Sequence, residues 1–190
     1  MDTPESWSIP SGMVESGGMA VPDRTSATAL VTRIEQLHGD GLLGFTRRLG
    51  LDDDAAEDVV QEALIRLYDA IQSGTQVDDP RAWTFTVTYR LAMDEHRRRH
   101  RSTRLEPTIW ALRRDIDSGD PITVVERLVV WNEVDRLPER QRAVLYLRYR
   151  ADLPFETIGH VLGITASAAR SHATQAVGTL RIALAGQDKD

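Results

Sequence analysis

The sequence predicts an all-α protein. It reads as two small helical domains joined by a flexible linker, the C-terminal one a helix-turn-helix. Three observations carry this. Apolar residues recur at helical spacing along most of the chain, and no segment alternates convincingly as a strand. Residues 102–121 lose that periodicity and hold the acidic, Gly/Pro-containing stretch "DIDSGDP", which reads as a linker. Charge is also sorted along the chain. The net charge is −6, yet Arg90 to Arg104 carries six Arg against two acids, a local +4. Such sorting usually marks a partner of opposite sign.

Composition narrows the function classes. At 190 residues the chain can bury one core comfortably, or two small ones. It has no cysteine, which removes disulfides, thiolate zinc sites and cysteine nucleophiles, and suits a reducing cytoplasm. No apolar run approaches the roughly 20 residues that cross a bilayer, so membrane insertion is not expected. The N-terminus lacks the basic start and apolar stretch of a signal peptide. Residues 1–25 are rich in Gly, Ser and Pro and are expected to be a disordered tail, with Met1, Met13 and Met19 as alternative starts. The expected domains are 26–101 and 122–186.

The elements follow in order. Residues 27–48 place Leu30, Ile34, Leu37, Leu42, Leu43 and Phe45 at helical spacing, with a break expected near Gly39–Gly41. Asp52, Asp53 and Asp54 suit the cap and first turn of the next helix. That helix, 55–71, repeats Val60, Leu64, Leu67 and Ile71 on one face and carries Asp58, Gln61, Glu62 and Asp69 on the other. Asp79 caps a helix that opens with Pro80. It places Trp83, Val87 and Leu91 on one stripe and ends in the arginine run. Helical pattern resumes near Ile122, with Val125, Leu128, Val129 and Val134, and breaks at Leu137–Pro138. Three more segments follow, at 139–150, 154–164 and 165–184.

The last two make the sharpest motif. Phe155, Ile158, Val161 and Leu162 give a short helix an apolar face. Gly163 supplies a tight turn and Thr165 an N-cap, and Ala169, Ala173, Ala176 and Leu180 repeat on the second helix. In a helix-turn-helix the second helix enters a major groove. A three-helix bundle without DNA contact would show a similar apolar pattern. The polar face of the second helix favours DNA, because Arg170, Ser171, Thr174 and Gln175 can all donate to phosphates or base edges. The arginine run alone would suit a solvated helix end; beside a helix-turn-helix it supplies a second phosphate-contacting surface. Tyr89 is harder to place in a core than Trp83, and an aromatic beside arginines can stack unpaired bases. The acidic face at 58–62 would by itself be a solvated surface. His160 and His172 have no metal-ligand spacing, so no metal is expected. Neither a phosphate-binding glycine loop nor a nucleophile–base arrangement is present, and no cofactor or catalytic site is expected.

Three stretches together, "AAEDVVQEALIRLY", "RAWTFTVTYRLAMDEHRRRHR" and "LPERQRAVLYLRYRADLPFETIGHVLGIT", resemble the bacterial sigma-70 family, and the two-domain size resembles its extracytoplasmic-function (ECF) group. The resemblance spans about residues 27–184. It implies a non-catalytic subunit that binds RNA polymerase core and directs promoter-specific initiation. By that resemblance Asp58, Gln61 and Glu62 dock on the coiled coil of the largest polymerase subunit. Tyr89, Arg90, Arg97, Arg98, Arg99 and Arg101 read and melt the minus-ten element. Ser167, Arg170, Ser171, Thr174 and Gln175 read the minus-thirty-five element. The linker, with Asp115, Asp117 and Asp120, and the C-terminal domain meet other polymerase subunits, and an anti-sigma protein is a partner of the kind such factors have. Two positions depart from the family's usual pattern. Tyr89-Arg90 stands where Arg-Asn is common, and the recognition helix has lost much of its positive charge. The alternative from a different class is a stand-alone helix-turn-helix regulator that binds an operator as a dimer. It leaves the acidic face and the 81–101 helix unexplained. A helical adaptor that binds only protein would show no DNA dependence.

Overall fold

The computed structural model describes residues 24–102 and 130–187. The described residues hold helices and no strand. Three long helices form the N-terminal domain: α1 (Arg24–Arg48), α2 (Asp53–Gln72) and α3 (Pro80–Ser102). The C-terminal domain follows with α4 (130–135), α5 (Glu139–Leu145), which runs on as a π-helical turn over Tyr146–Arg150, then α6 (Phe155–Leu162) and α7 (Ala166–Gln187). The expected linker, apart from Ser102, which ends α3, and the expected apolar positions Val125, Leu128 and Val129, lie outside the described residues. So does the expected tail, apart from Arg24 and Thr25, which begin α1.

Local chemistry sets most of the boundaries. The Asp52 side chain accepts from the Ala55 amide at 2.9 Å, and Asp53 and Asp54 occupy the first turn of α2. Asp79 accepts from the Ala82 amide at 2.9 Å just ahead of Pro80. Each such cap is worth about 1 kcal/mol. In the C-terminal domain Gly163 ends α6 at φ 64°, and the Thr165 hydroxyl accepts from the Ala168 amide at 3.1 Å to start α7.

The N-terminal core is built from the apolar stripes. Val60, Leu64, Leu67 and Ile71 of α2 are buried, as are Leu42 and Phe45 of α1 and Trp83, Phe85 and Val87 of α3. Phe45 meets the Phe85 ring edge-on at 5.7 Å between centroids. Burying side chains of this size stabilises the fold by roughly 1.5–3 kcal/mol each. In the C-terminal domain Ile158, Val161 and Leu162 of α6 pack with Ala169 and Ala173 of α7. Val134, Leu137, Leu145 and Ala176 form a smaller cluster with Trp131.

Two expectations are corrected. The break near Gly39–Gly41 does not occur, and α1 is continuous from Arg24 to Arg48. An interior glycine costs only about 1 kcal/mol, and the fully buried Leu42 and Phe45 one turn later hold the helix in place. Leu37, expected on the buried stripe, is 62% exposed. The rest of its stripe is covered, with Ile34, Leu42 and Phe45 buried and Leu30 and Leu43 partly so.

The two domains touch. The Tyr146 hydroxyl donates to the Gly41 carbonyl at 3.0 Å. The Tyr146 ring stacks on Phe45 at 5.8 Å. Arg48 lies over the Trp131 ring at 4.6 Å and over Tyr146 at 5.6 Å, and its Nε stands 3.6 Å from Asp135 Oδ1. Helix α6 packs on α3.

Candidate nucleic-acid and polymerase interfaces

Three surfaces carry the expected site residues. The first is the outer face of α2. Asp58 and Gln61 are exposed and Glu62 is half-buried, with its carboxylate 2.7 Å from Arg66 Nε. Spacings of three and four residues put 58, 61, 62 and 65 on one side of the helix. Ile65 completes that row and is 55% exposed. Sequence reasoning missed it. The signal was available, since Ile65 stands four residues after Gln61 on the polar face.

The second surface is the C-terminal half of α3. Here the structure brings the arginines to acids of its own fold. Arg97 pairs with Asp94. Arg98 makes two bonds to Glu95, at 2.8 and 2.9 Å. Arg99 reaches Glu95 at 2.8 Å and Asp52 at 2.7 Å. Hydrogen bonds from Arg98 and Arg99 hold the Glu95 carboxyl below its ordinary range. Those from Arg99 and the Ala55 amide do the same for Asp52. Arg99 therefore ties α3 to the cap of α2. His96 does similar work at the end of α1, with Nε2 2.6 Å from the Leu49 carbonyl. Both acids of the run are engaged by its arginines, and Asp52 is the one acid from outside it that these pairs add. The side chain of Arg101 lies outside the described residues.

Tyr89 differs from its expected place as an open stacking platform. It is half-buried, its centroid 6.4 Å from that of Phe45, and burial raises its phenol above the ordinary value. It borders a cavity of about 610 Å³ between the domains. Tyr89, Arg90, Met93, His96 and Arg97 line one side, and Glu139 and Arg140 the other. Sequence reasoning had no access to this juxtaposition, which joins residues about 50 positions apart.

The third surface is α7. Ser167, Arg170, Ser171, Thr174 and Gln175 are all exposed and share the face opposite the buried Ala169, Ala173 and Ala176. Arg170 is paired with Glu156 of α6 and lies 5.6 Å from the Phe155 ring centre. The Thr174 hydroxyl donates back to the Arg170 carbonyl at 3.0 Å, and Gln175 accepts a long bond from Gln141 at 3.4 Å. The geometry leaves a polar, nearly uncharged face flanked by one arginine. It suits reading base edges better than gripping phosphates.

Comparison with known proteins sorts these surfaces. The family model for Sigma-70 region 2 matches residues 36–102, and that for Sigma-70 region 4 matches 134–181. The ECF RNA polymerase sigma factor SigJ of Mycobacterium tuberculosis is 36% identical over 64% of this chain. SigE of Mycolicibacterium smegmatis is 32% identical over 89% of this chain and 67% of its own length. The chain spans 40% of SigJ and 50% of the M. tuberculosis factor SigI, but 89% of SigL from that organism. Among solved structures, the sigma factor RpoE in complex with the anti-sigma factor NepR, from Bartonella quintana, shares the fold. It has a TM-score of 0.64 and 20% identity, covering 80% of this chain and 95% of that one. The crystal structure of SigJ gives a TM-score of 0.53 at 30% identity, covering 79% of this chain and 52% of that one. With both sigma regions in order on one helical chain, this protein belongs to the sigma-70 family, in its ECF group.

Proposed function

We propose that the chain is a promoter-specificity subunit of RNA polymerase. It binds core and brings it to a two-element promoter, with no catalysis of its own. It works in the cytoplasm, where core and promoter are found. The exposed row Asp58, Gln61, Glu62 and Ile65 docks on the largest-subunit coiled coil, its acids facing basic partners and Ile65 seating in an apolar contact. Tyr89, Arg90, Arg97, Arg98, Arg99 and Arg101 serve the minus-ten element. Ser167, Arg170, Ser171, Thr174 and Gln175 serve the minus-thirty-five element. A separate anti-sigma protein is a fitting inhibitor, as the sigma factor RpoE of B. quintana has been crystallised with the anti-sigma factor NepR.

The observation that carries this reading is the order of two different sigma regions on one chain, each with an exposed polar face. A dimeric operator-binding regulator needs only the second region. Gel filtration with purified core polymerase separates the two. Co-elution with core at one-to-one stoichiometry supports the sigma factor. A self-associated dimer that ignores core supports the regulator.

A further inference from the structure

We infer that Gln141, on α5, decides which base Gln175 of α7 can read: the Gln141 amide donates to the Gln175 side-chain oxygen, turns the Gln175 amino group toward the DNA groove, and so makes this position favour guanine over adenine. The inference rests on the sigma-factor reading and names a specificity-determining residue for it that lies outside the helix expected to enter the groove.

The first support is the chemistry of the amide. A glutamine carries an acceptor oxygen and an amino group with two donors at its tip. With both halves free it pairs with adenine, donating to N7 and accepting from N6. Here Gln141 Nε2 donates to Gln175 Oε1 at 3.4 Å. Among the described residues no other side chain bonds the Gln175 amide; the Thr179 hydroxyl reaches the Gln175 backbone carbonyl instead. The amino group is what remains for the groove. Guanine offers it two acceptors, N7 and O6, whereas adenine sets its own N6 amino group against it.

The second support is what keeps the two side chains together. A bond of this length is weak by itself, so packing must hold the partners within reach. Gln141 stands one turn before Leu145 on α5, and residues four apart share a face. Leu145 is buried in one cluster with Ala176, the neighbour of Gln175. The first turn of α5 is fixed as well. Arg142 Nη1 donates to the Asp135 carbonyl at 2.8 Å, and Leu137 just ahead of the helix is buried. Gln141 is half-buried and Gln175 exposed, so the first is the anchored member and the second the one open to DNA. The third support is the shortage of charge. Arg170 is the one full charge among Ser167, Arg170, Ser171, Thr174 and Gln175. Discrimination on such a face rests on the direction of its hydrogen bonds, and the residue that sets a direction sets the preference.

The test is transcription by holoenzyme from a promoter library randomised at the upstream element. Gln175→Ala first identifies the position that Gln175 reads, as the one whose preference relaxes. The parent should favour guanine there. Gln141→Met keeps the length of the side chain, removes the bond and frees both halves of the Gln175 amide. Gln141→Glu, ionised at neutral pH, can only accept. It should take the Gln175 amino group and turn the oxygen to the groove, where the adenine amino group can donate to it. Each variant should raise the adenine-to-guanine ratio at that position roughly two- to tenfold, the worth of one hydrogen bond. In a Gln175→Ala background neither should change the ratio, since a positioning residue acts only through its partner. Circular dichroism confirms that the variants fold. A ratio that both variants leave at the parent's value overturns the inference, as does a library in which Gln175→Ala relaxes no position. A ratio that Gln141→Met still shifts in the Gln175→Ala background makes Gln141 a DNA contact in its own right and also overturns it. A chain that directs no transcription with core overturns the sigma-factor reading, and this inference falls with it.

Discussion

Arg170 and Glu156 are ion-paired across the turn of the helix-turn-helix, with the guanidinium 5.6 Å from the centre of the Phe155 ring. The one fully charged group on the proposed DNA-reading face is therefore held by the helix before it. To pair with a guanine edge it must leave Glu156 or share it.

Freeing Arg170 should strengthen general DNA binding. Glu156→Gln removes the competing carboxylate, and the holoenzyme's affinity for non-promoter DNA should rise with a steeper salt dependence. Arg170→Ala should lose one phosphate or base contact, flatten the slope of log affinity against log salt by up to about 0.9, and relax preference at one upstream position. Gln175→Ala should relax a different position with the slope unchanged. Holoenzyme binding across a salt series reads the affinities and slopes, and transcription from a promoter library randomised upstream reads the preferences. Identical sequence preference in every variant would place the contacts elsewhere.

The row on α2 should bind protein without supporting the fold. Asp58→Ala, Gln61→Ala and Ile65→Ala, at exposed positions, should each move stability by only about 0.5 kcal/mol. Combined, they should abolish co-elution with core polymerase. Retained affinity for core would remove the docking role from this face.

The Asp52–Arg99–Glu95 network predicts a specific acid sensitivity. Arg99 holds Asp52 below its ordinary 3.8, and Arg98 with Arg99 holds Glu95 below its ordinary 4.5. The unfolded chain then binds more protons at these groups, so they add stability as pH rises. Their contribution is complete above about pH 4.5 and is lost as pH falls through the lower folded values. Arg99→Ala should cost about 0.5–1 kcal/mol at neutral pH, discounted for its partial exposure, and the difference from parent should shrink as pH falls below the ordinary carboxylate range. Thermal melts across that range check this; a constant difference would contradict it.

The turn before the recognition helix should tolerate no side chain at Gly159. A Cβ there would stand 2.8 Å from the Ile164 carbonyl oxygen and 3.1 Å from the Ala166 amide. Gly159→Ala should destabilise by about 1–3 kcal/mol and misplace α7. Melting of the variant at the parent's temperature would show that the turn can give.

Much of the local structure was legible because its causes are local. Asp52, Asp79 and Thr165 each cap the helix that follows them, and Gly163 takes the left-handed turn. The alanine stripe of α7 is buried as its spacing requires. What stayed hidden depends on contacts across long sequence separations. Nothing near Gly41 announces that Tyr146 will bond its carbonyl, or that Phe45 will carry α1 through two glycines. The pairing of Arg99 with Asp52 spans 47 residues. Without it the arginine run reads as free charge. Tyr89 looked surplus to the core because its ring neighbour, Phe45, lies on another helix 44 residues away.

The most direct test of the sigma-factor account is run-off transcription with purified core polymerase on genomic fragments, with and without the chain. The account predicts new transcripts that depend on the chain, start at one fixed position downstream of a two-element promoter, and disappear with the combined α2 variant. Transcripts no different from core alone, on fragments that include the region upstream of the protein's own coding sequence, would contradict it.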